Sequence, residues 1–243
     1  MINLIVDGNI FLMSSVFAHR KNKRVAISYL VLLQLFKYIR EFKPNKIYLV
    51  ADKSSSWRRE IYPAYKANRK PFRNSFPDID WDEVFKEYNE LLSSIQSFTP
   101  INVVQIEHLE GDDIISYLCR YTPGENIIVS KDKDLSQLLV LPNVKMVYPK
   151  KKMEVVEELE GDIVLNKIKK GDASDNIKGA KTLVEAIRNE ILIDLLNLPP
   201  LIDSTIRTYL DSIVKTENKE MFCKAYPYAY IRKVYNLIEG GED

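Results

Sequence analysis

Five short apolar runs constrain this chain more than any other feature: residues 2–6, 46–50, 102–106, 126–130 and 144–147. Each is rich in Val and Ile and is bounded by polar or turn residues, the pattern of a buried strand. Helix-patterned segments lie between them. Residues 27–40 form one. Residues 82–96 form another, with Val84, Tyr88, Leu91 and Ile95 on one face and Asp80 with Glu83 offering a capping-box start. Residues 112–121 form a third, with Ile114, Ile115 and Leu118 facing inward. Strands alternating with helices predict an α/β fold: a central, mainly parallel sheet with helices on both faces. Past about Glu154 the strand signal fades, and segments 159–170, 181–198, 202–214 and 228–238 read as helices. The 243 residues therefore divide into an α/β unit, 1–152, and a helical region, 153–243.

An apolar fraction of 46% supplies a packed core, and 28% charged residues leave no case for wholesale disorder. Lys and Arg number 35 against 34 Asp and Glu. That balance excludes a uniformly basic nucleic-acid binder, but not an enzyme whose charges are segregated into patches. Cys119 and Cys223 lie among apolar residues, which suits buried thiols in a reducing compartment. The first residues lack a basic n-region and are interrupted by Asp7, so no signal peptide is expected. No apolar run reaches membrane-spanning length, and a cytoplasmic monomer is expected.

The placement of the carboxylates is the informative chemistry. Asp7 follows the first run and Asp52 the second. Glu110, Asp112 and Asp113 follow the third and open a helix. Asp132 and Asp134 follow the fourth, and Asp172 and Asp175 flank a turn in the helical region. In a parallel sheet the carboxyl ends of the strands share one edge, where such folds place their sites. Singly, each acid has a plain explanation. Asp7-Gly8 reads as a turn, Asp112-Asp113 as a helix start, Asp172 and Asp175 as a turn and cap. Jointly they predict a rim that needs a cation, because crowded like charges otherwise raise one another's pKa. Oxygen-only ligands select Mg²⁺ or Mn²⁺. With His19 and His108 the only histidines, zinc is poorly supported. Two ions would suit hydrolysis of a phosphodiester.

Residues 57–73 mix cations with aromatics, including Arg58, Arg59, Tyr65, Lys66 and Arg69. Alone, such a stretch is an ordinary exposed helix. Beside an acidic rim it suits phosphates and unstacked bases, with Lys66 and Arg69 one helical turn apart. Residues 20–24 and Lys150-Lys151-Lys152 are further basic clusters, each a solvated loop or a track for duplex backbone.

Taken in order, these motifs resemble the flap endonuclease/5′-nuclease superfamily. The matching residues are Ile5-Val6-Asp7-Gly8, Ala51-Asp52, Trp57-Arg58, the segment 62–69, Glu110-Gly111-Asp112-Asp113, the segment 130–138 and the segment 170–177. Within it they are most similar to the T-even phage ribonuclease H branch, 5′-to-3′ exonucleases that remove RNA primers. The resemblance implies a PIN-like sheet, a helical arch near 58–96 that admits a 5′ single strand, and a duplex-binding helical tail. It implies a first metal site of Asp7, Asp52, Glu110 and Asp112. Asp113 and Asp132 would be shared or adjacent, and Asp134, Asp172 and Asp175 would hold a second ion. Lys66 and Arg69 would steady the scissile phosphate, with Lys178 and Lys181 on the duplex. The implied activity is two-metal hydrolysis, with Mg²⁺ replaceable by Mn²⁺, of DNA carrying 5′ ends or flaps and of RNA–DNA hybrids. A single-strand-binding protein or a sliding clamp is the kind of partner implied. Ala51 stands where the family has Phe, and Gly111 where it has Ala. Residues 177–182 are too short for the family's Gly-rich hairpin, which weighs against a bound K⁺. Two other readings compete: a branched-DNA-binding protein of this fold without catalysis, and an unrelated acid-rimmed phosphatase or phosphotransferase.

Overall fold

The computed structural model describes all residues except 55, 69–72, 150–153, 157–161, 229 and 239–243. Its centre is a sheet built from β1 (Ile2–Asp7), β2 (Lys46–Val50), β3 (Asn102–Val104), β4 (Glu125–Val129), β5 (Val144–Tyr148) and β6 (Glu154–Val156). The order across the sheet is β3-β2-β1-β4-β5-β6. The first five strands run parallel and β6 returns antiparallel to β5. The expected α/β class is correct, and β1 and β2 start where the apolar runs do. β6 escaped the sequence because three residues carry no period.

Alternation along the central strands sorts side chains between two cores. Leu4 and Val6 of β1, Ile47 and Leu49 of β2, and Ile127 and Val129 of β4 face one side. Ile5, Tyr48, Val50 and Ile128 face the other. The first core is covered by α1 (Gly8–Lys21), α2 (Ile27–Phe42) and α4 (Trp81–Phe98). The second is covered by α5 (Gly111–Tyr121) and the 3₁₀ helix Lys133–Val140. A short α3 (Arg58–Ile61) follows β2.

The tail contains α6 (Ile163–Lys170), α7 (Leu183–Ile193), α8 (Pro200–Asp211), α9 (Lys219–Ala225) and α10 (Ile231–Ile238). A two-stranded antiparallel hairpin, β7 (Gly171–Asp172) and β8 (Ile177–Lys178), joins α6 to α7. Ile202 and Ile206 of α8 enter the second core, while Phe222, Ile231 and Tyr235 enter the first.

α1 is the main departure from expectation. Ser14, Ser15 and His19 interrupt its apolar stripe, so the pattern was weak. Asp7-Gly8 makes no turn, the plain alternative for that pair; Asp7 caps this helix directly, its Oδ1 accepting from the N–H groups of Asn9 (3.1 Å) and Ile10 (3.3 Å). The strand therefore passes into the helix with no loop, and Gly8 permits it. A Cβ there would stand 2.4 Å from the Tyr88 hydroxyl and 2.8 Å from the Val50 carbonyl.

Candidate active site on the carboxyl edge of the sheet

β1 lies where the strand order reverses, between β2 and β4, and crossovers diverge from that point to open a crevice. Five acids line a cleft of about 390 Å³ there: Asp7, Asp52, Glu110, Asp112 and Asp132. Lys66 and Lys131 join them, with Ile10, Met13 and Phe17 of α1 as an apolar wall. Beside it lies a second cluster, Asp134, Asp172 and Asp175, whose ligand atoms fall within 4.8 Å of one another. Asp112 lines both cavities. Eight of the nine acids named from the sequence thus fall in two adjoining groups.

Each carboxylate is held by its local fold. Asp7 Oδ2 accepts from the Ser130 hydroxyl at 2.6 Å. Asp52 Oδ1 accepts from the Gly111 amide at 2.7 Å, tying the end of β2 to the start of α5. Asp132 caps the 3₁₀ helix by accepting from Asp134 N at 2.9 Å. Asp172 Oδ1 accepts from the amide (2.8 Å) and hydroxyl (2.5 Å) of Ser174, which fixes the turn of the hairpin.

The electrostatics show the crowding. Burial pushes Asp7 up to about 7, with Asp52 and Asp132 adding repulsion. Burial, and then the Asp132 charge, raise Asp112 well above the usual carboxylate range. Burial also raises Asp134. Glu110 goes the other way: burial would raise it, but Lys66 and Arg58 together bring it down to about 2. Carboxylates pushed up in this way are the donor set that a hard divalent cation relieves. The Tyr88 hydroxyl is buried with no hydrogen-bond partner among the described residues, within the field of Asp7 and Asp52. Oxygen-only donors and mutual repulsion together fit a divalent-metal site.

Several expectations need correction. Asp113 is fully buried and turned away from both clusters. Its Oδ2 accepts from Trp57 Nε1 and from Glu110 N, both at 3.0 Å, and its Oδ1 lies 2.7 Å from Arg58 Nη2. Arg58 is not a phosphate contact but a buried strut: Nη1 donates to Glu110 at 3.0 Å and Nε to the Leu192 carbonyl at 2.9 Å. Tyr65 is buried too, its hydroxyl within hydrogen-bond distance of both Glu110 (2.9 Å) and Asp175 (3.1 Å), with one proton to give. Lys66 does reach the cleft, where its ammonium contacts Glu110, yet it stands in a turn with a left-handed φ of 54° rather than on a helix. Arg69 and Lys150-Lys151-Lys152 lie outside the described residues. Arg59, Lys178 and Lys181 are exposed.

The segment 62–68 docks on the hairpin. Lys66 N donates to the Asp175 carbonyl (2.9 Å), Asn68 Nδ2 to the Ala173 carbonyl (3.0 Å) and Asn176 Nδ2 to the Ala64 carbonyl (2.8 Å). Sequence reasoning missed Lys167, whose ammonium contacts Asp134 and Asp172. Its i, i+5 spacing from Asp172 matches no helical or strand period. Ser130 was missed as well, although a Ser directly after a strand and before two acids is a natural carboxylate anchor.

Fold and rim together define an α/β protein with its site at the switch point of a parallel sheet. A model of the 5′-3′ exonuclease N-terminal, resolvase-like domain matches residues 3–169. A 5′-3′ exonuclease of Mycoplasmopsis pulmonis is 27% identical over 249 residues, covering 96% of this chain and 80% of that protein. Ribonuclease H of Enterobacteria phage T4 is 34% identical over 144 residues, covering 56% of this chain and 47% of that protein. Against the thermostable DNA polymerase I of Thermus thermophilus, the match takes in 27% of the polymerase. The phage T5 flap endonuclease, solved as a complex with DNA and metal ions, superposes with a TM-score of 0.66 at 17% identity, covering 98% of this chain and 100% of that one. At that identity the likeness is one of fold. The chain belongs to the 5′-3′ exonuclease family, within the flap endonuclease/5′-nuclease superfamily.

Proposed function

We propose that this protein is a divalent-metal-dependent 5′ nuclease that hydrolyses phosphodiesters at the 5′ ends and flaps of DNA and of RNA annealed to DNA, with removal of RNA primers as its role. The convergence of eight carboxylates into two adjoining groups carries this reading. Asp7, Asp52, Glu110, Asp112 and Asp132 would hold one Mg²⁺ or Mn²⁺, and Asp134, Asp172 and Asp175, with Asp112 between, a second. Bound there, the two ions supply Lewis-acid activation of water and charge stabilisation of the leaving 3′ oxygen.

The chain's own residues do the rest. Lys66, at the cleft and with its ammonium already on a carboxylate, meets the charge that develops on the scissile phosphate. Ser130 and the Gly111 amide hold Asp7 and Asp52 in place, and Arg58 keeps Glu110 ionised from below. Exposed Lys178 and Lys181 flank the junction of the hairpin and α7, which suits backbone contacts to a duplex in the helical region.

The test is cleavage of labelled 5′-flap, nicked and RNA·DNA substrates with and without Mg²⁺. Mg²⁺-dependent release of 5′ products is expected. Asp132→Asn should abolish cleavage and leave DNA binding intact, read by gel shift in Ca²⁺. Binding of branched DNA without cleavage by the unaltered protein would replace the nuclease with a non-catalytic binder.

A further inference from the structure

The two carboxylate groups differ in how cations meet their acids. In the first, Lys66 and Arg58 pair with Glu110, but no Lys or Arg ion pair reaches Asp7, Asp52 or Asp132 among the described residues. In the second group one ammonium bridges two of the three acids: Lys167 Nζ contacts Asp134 Oδ1 and lies 2.5 Å from Asp172 Oδ2, while Lys66 Nζ stands off at 3.7 Å from Asp175 Oδ2. Lys167 stands near the end of α6, and the chain turns at Gly171 to bring Asp172 back beneath it. The Lys167 side chain keeps 22% of its surface exposed, so it has a path to solvent.

The two oxygens that Lys167 contacts belong to carboxylates whose ligand atoms gather within 4.8 Å of one another, the groups an ion would need. An ammonium and a divalent cation cannot occupy that space together. A lysine supplies one positive charge and three donors, has no capacity to bind water as a ligand, and is held on a flexible stem. It is therefore displaceable, at a cost set by its two charge-assisted hydrogen bonds.

We infer that Lys167 is a tethered counter-ion: it fills the second carboxylate cluster in the ion-free protein and must swing out before a divalent ion enters. It thereby weakens that cluster's ion affinity and makes it fill after the first. This inference rests on the metal reading of the two clusters given above.

Calorimetric titration of the full-length, DNA-free protein with MnCl₂, paralleled by electron paramagnetic resonance of free Mn²⁺, tests it. The unaltered protein should bind one ion tightly and a second weakly. K167M keeps most of the length of the side chain and removes the charge. It should tighten the second site by roughly tenfold to a hundredfold, the worth of a hydrogen bond between charged groups, and leave the first unchanged. K167R, which keeps the charge, should retain a weak second site. Circular dichroism and thermal melts check the fold, and K167Q is read in the same way if the Met variant unfolds. A second-site affinity in the uncharged variants equal to or below that of the unaltered protein overturns the role given to Lys167 while the metal reading stands. Failure of all proteins to bind Mn²⁺ removes both.

Discussion

Asp7 and Glu110 line the same cleft and are driven in opposite directions, which has a consequence for stability. With its carboxyl pushed up to about 7, folded Asp7 retains its proton between pH 4 and 7, while the unfolded chain releases it. The unfolded state therefore binds fewer protons in that window, and stability falls as pH rises. Glu110, brought down to about 2, contributes stability that is lost only as pH falls below about 4.5. Asp112 acts in the same sense as Asp7. Urea denaturation in EDTA should show the unfolding free energy dropping between pH 4 and 7, by up to roughly 4 kcal/mol for Asp7 alone at about 1.4 kcal/mol per unit. Asp7→Asn should flatten the fall, and a slope unchanged by that substitution would refute the raised carboxyl. The acids themselves were legible in the sequence because parallel strands deliver their ends to one edge. Arg58 was not. Trp-Arg-Arg reads as a surface pattern, and only the tertiary fold reveals that Glu110, Asp113 and the Leu192 carbonyl enclose this guanidinium.

Among the elements, the hairpin between α6 and α7 places two acids against the sheet edge and anchors the segment 62–68. Its geometry depends on Gly171, whose φ of 86° lies in the left-handed region. A Cβ there would stand 2.4 Å from the Ile177 carbonyl and 2.6 Å from the Gly179 amide, both backbone atoms that cannot yield independently. Gly171→Ala should therefore open the hairpin at a cost of about 1–3 kcal/mol. Cleavage should fall with it, and amide exchange at residues 171–178 should quicken while the sheet core stays protected. Uniform loss of protection across the whole sheet would show that the substitution acts globally. This hairpin was beyond sequence reasoning, since strands of two residues carry no alternation. The central strands were legible for the converse reason: burial on both faces makes each a continuous apolar run.

At the scale of the whole molecule, the division of the chain at about residue 152 has to be set against how the tail packs. Ile202 and Ile206 of α8 belong to the core beneath α5, and Phe222, Ile231 and Tyr235 belong to the opposite core. Between them, residues 215–218 are stitched to the end of α4 and the connection after it: Asn218 N donates to the Phe98 carbonyl at 3.0 Å, and Lys215 Nζ and Thr216 Oγ1 donate to the Ile101 and Ser97 carbonyls. The tail thus crosses from one face of the sheet to the other and completes both cores. Five large side chains, at about 1.5–3 kcal/mol each for full burial, amount to roughly the entire stability of an ordinary domain. The full chain should therefore unfold in one transition, with Trp fluorescence and far-ultraviolet circular dichroism tracing coincident urea curves. A chain ending at Leu198 should lack that cooperative transition and bind a hydrophobic dye. A sharp, separate transition in residues 1–198 would instead make the tail an independent unit that adds nothing to the stability of the sheet that holds the carboxylates.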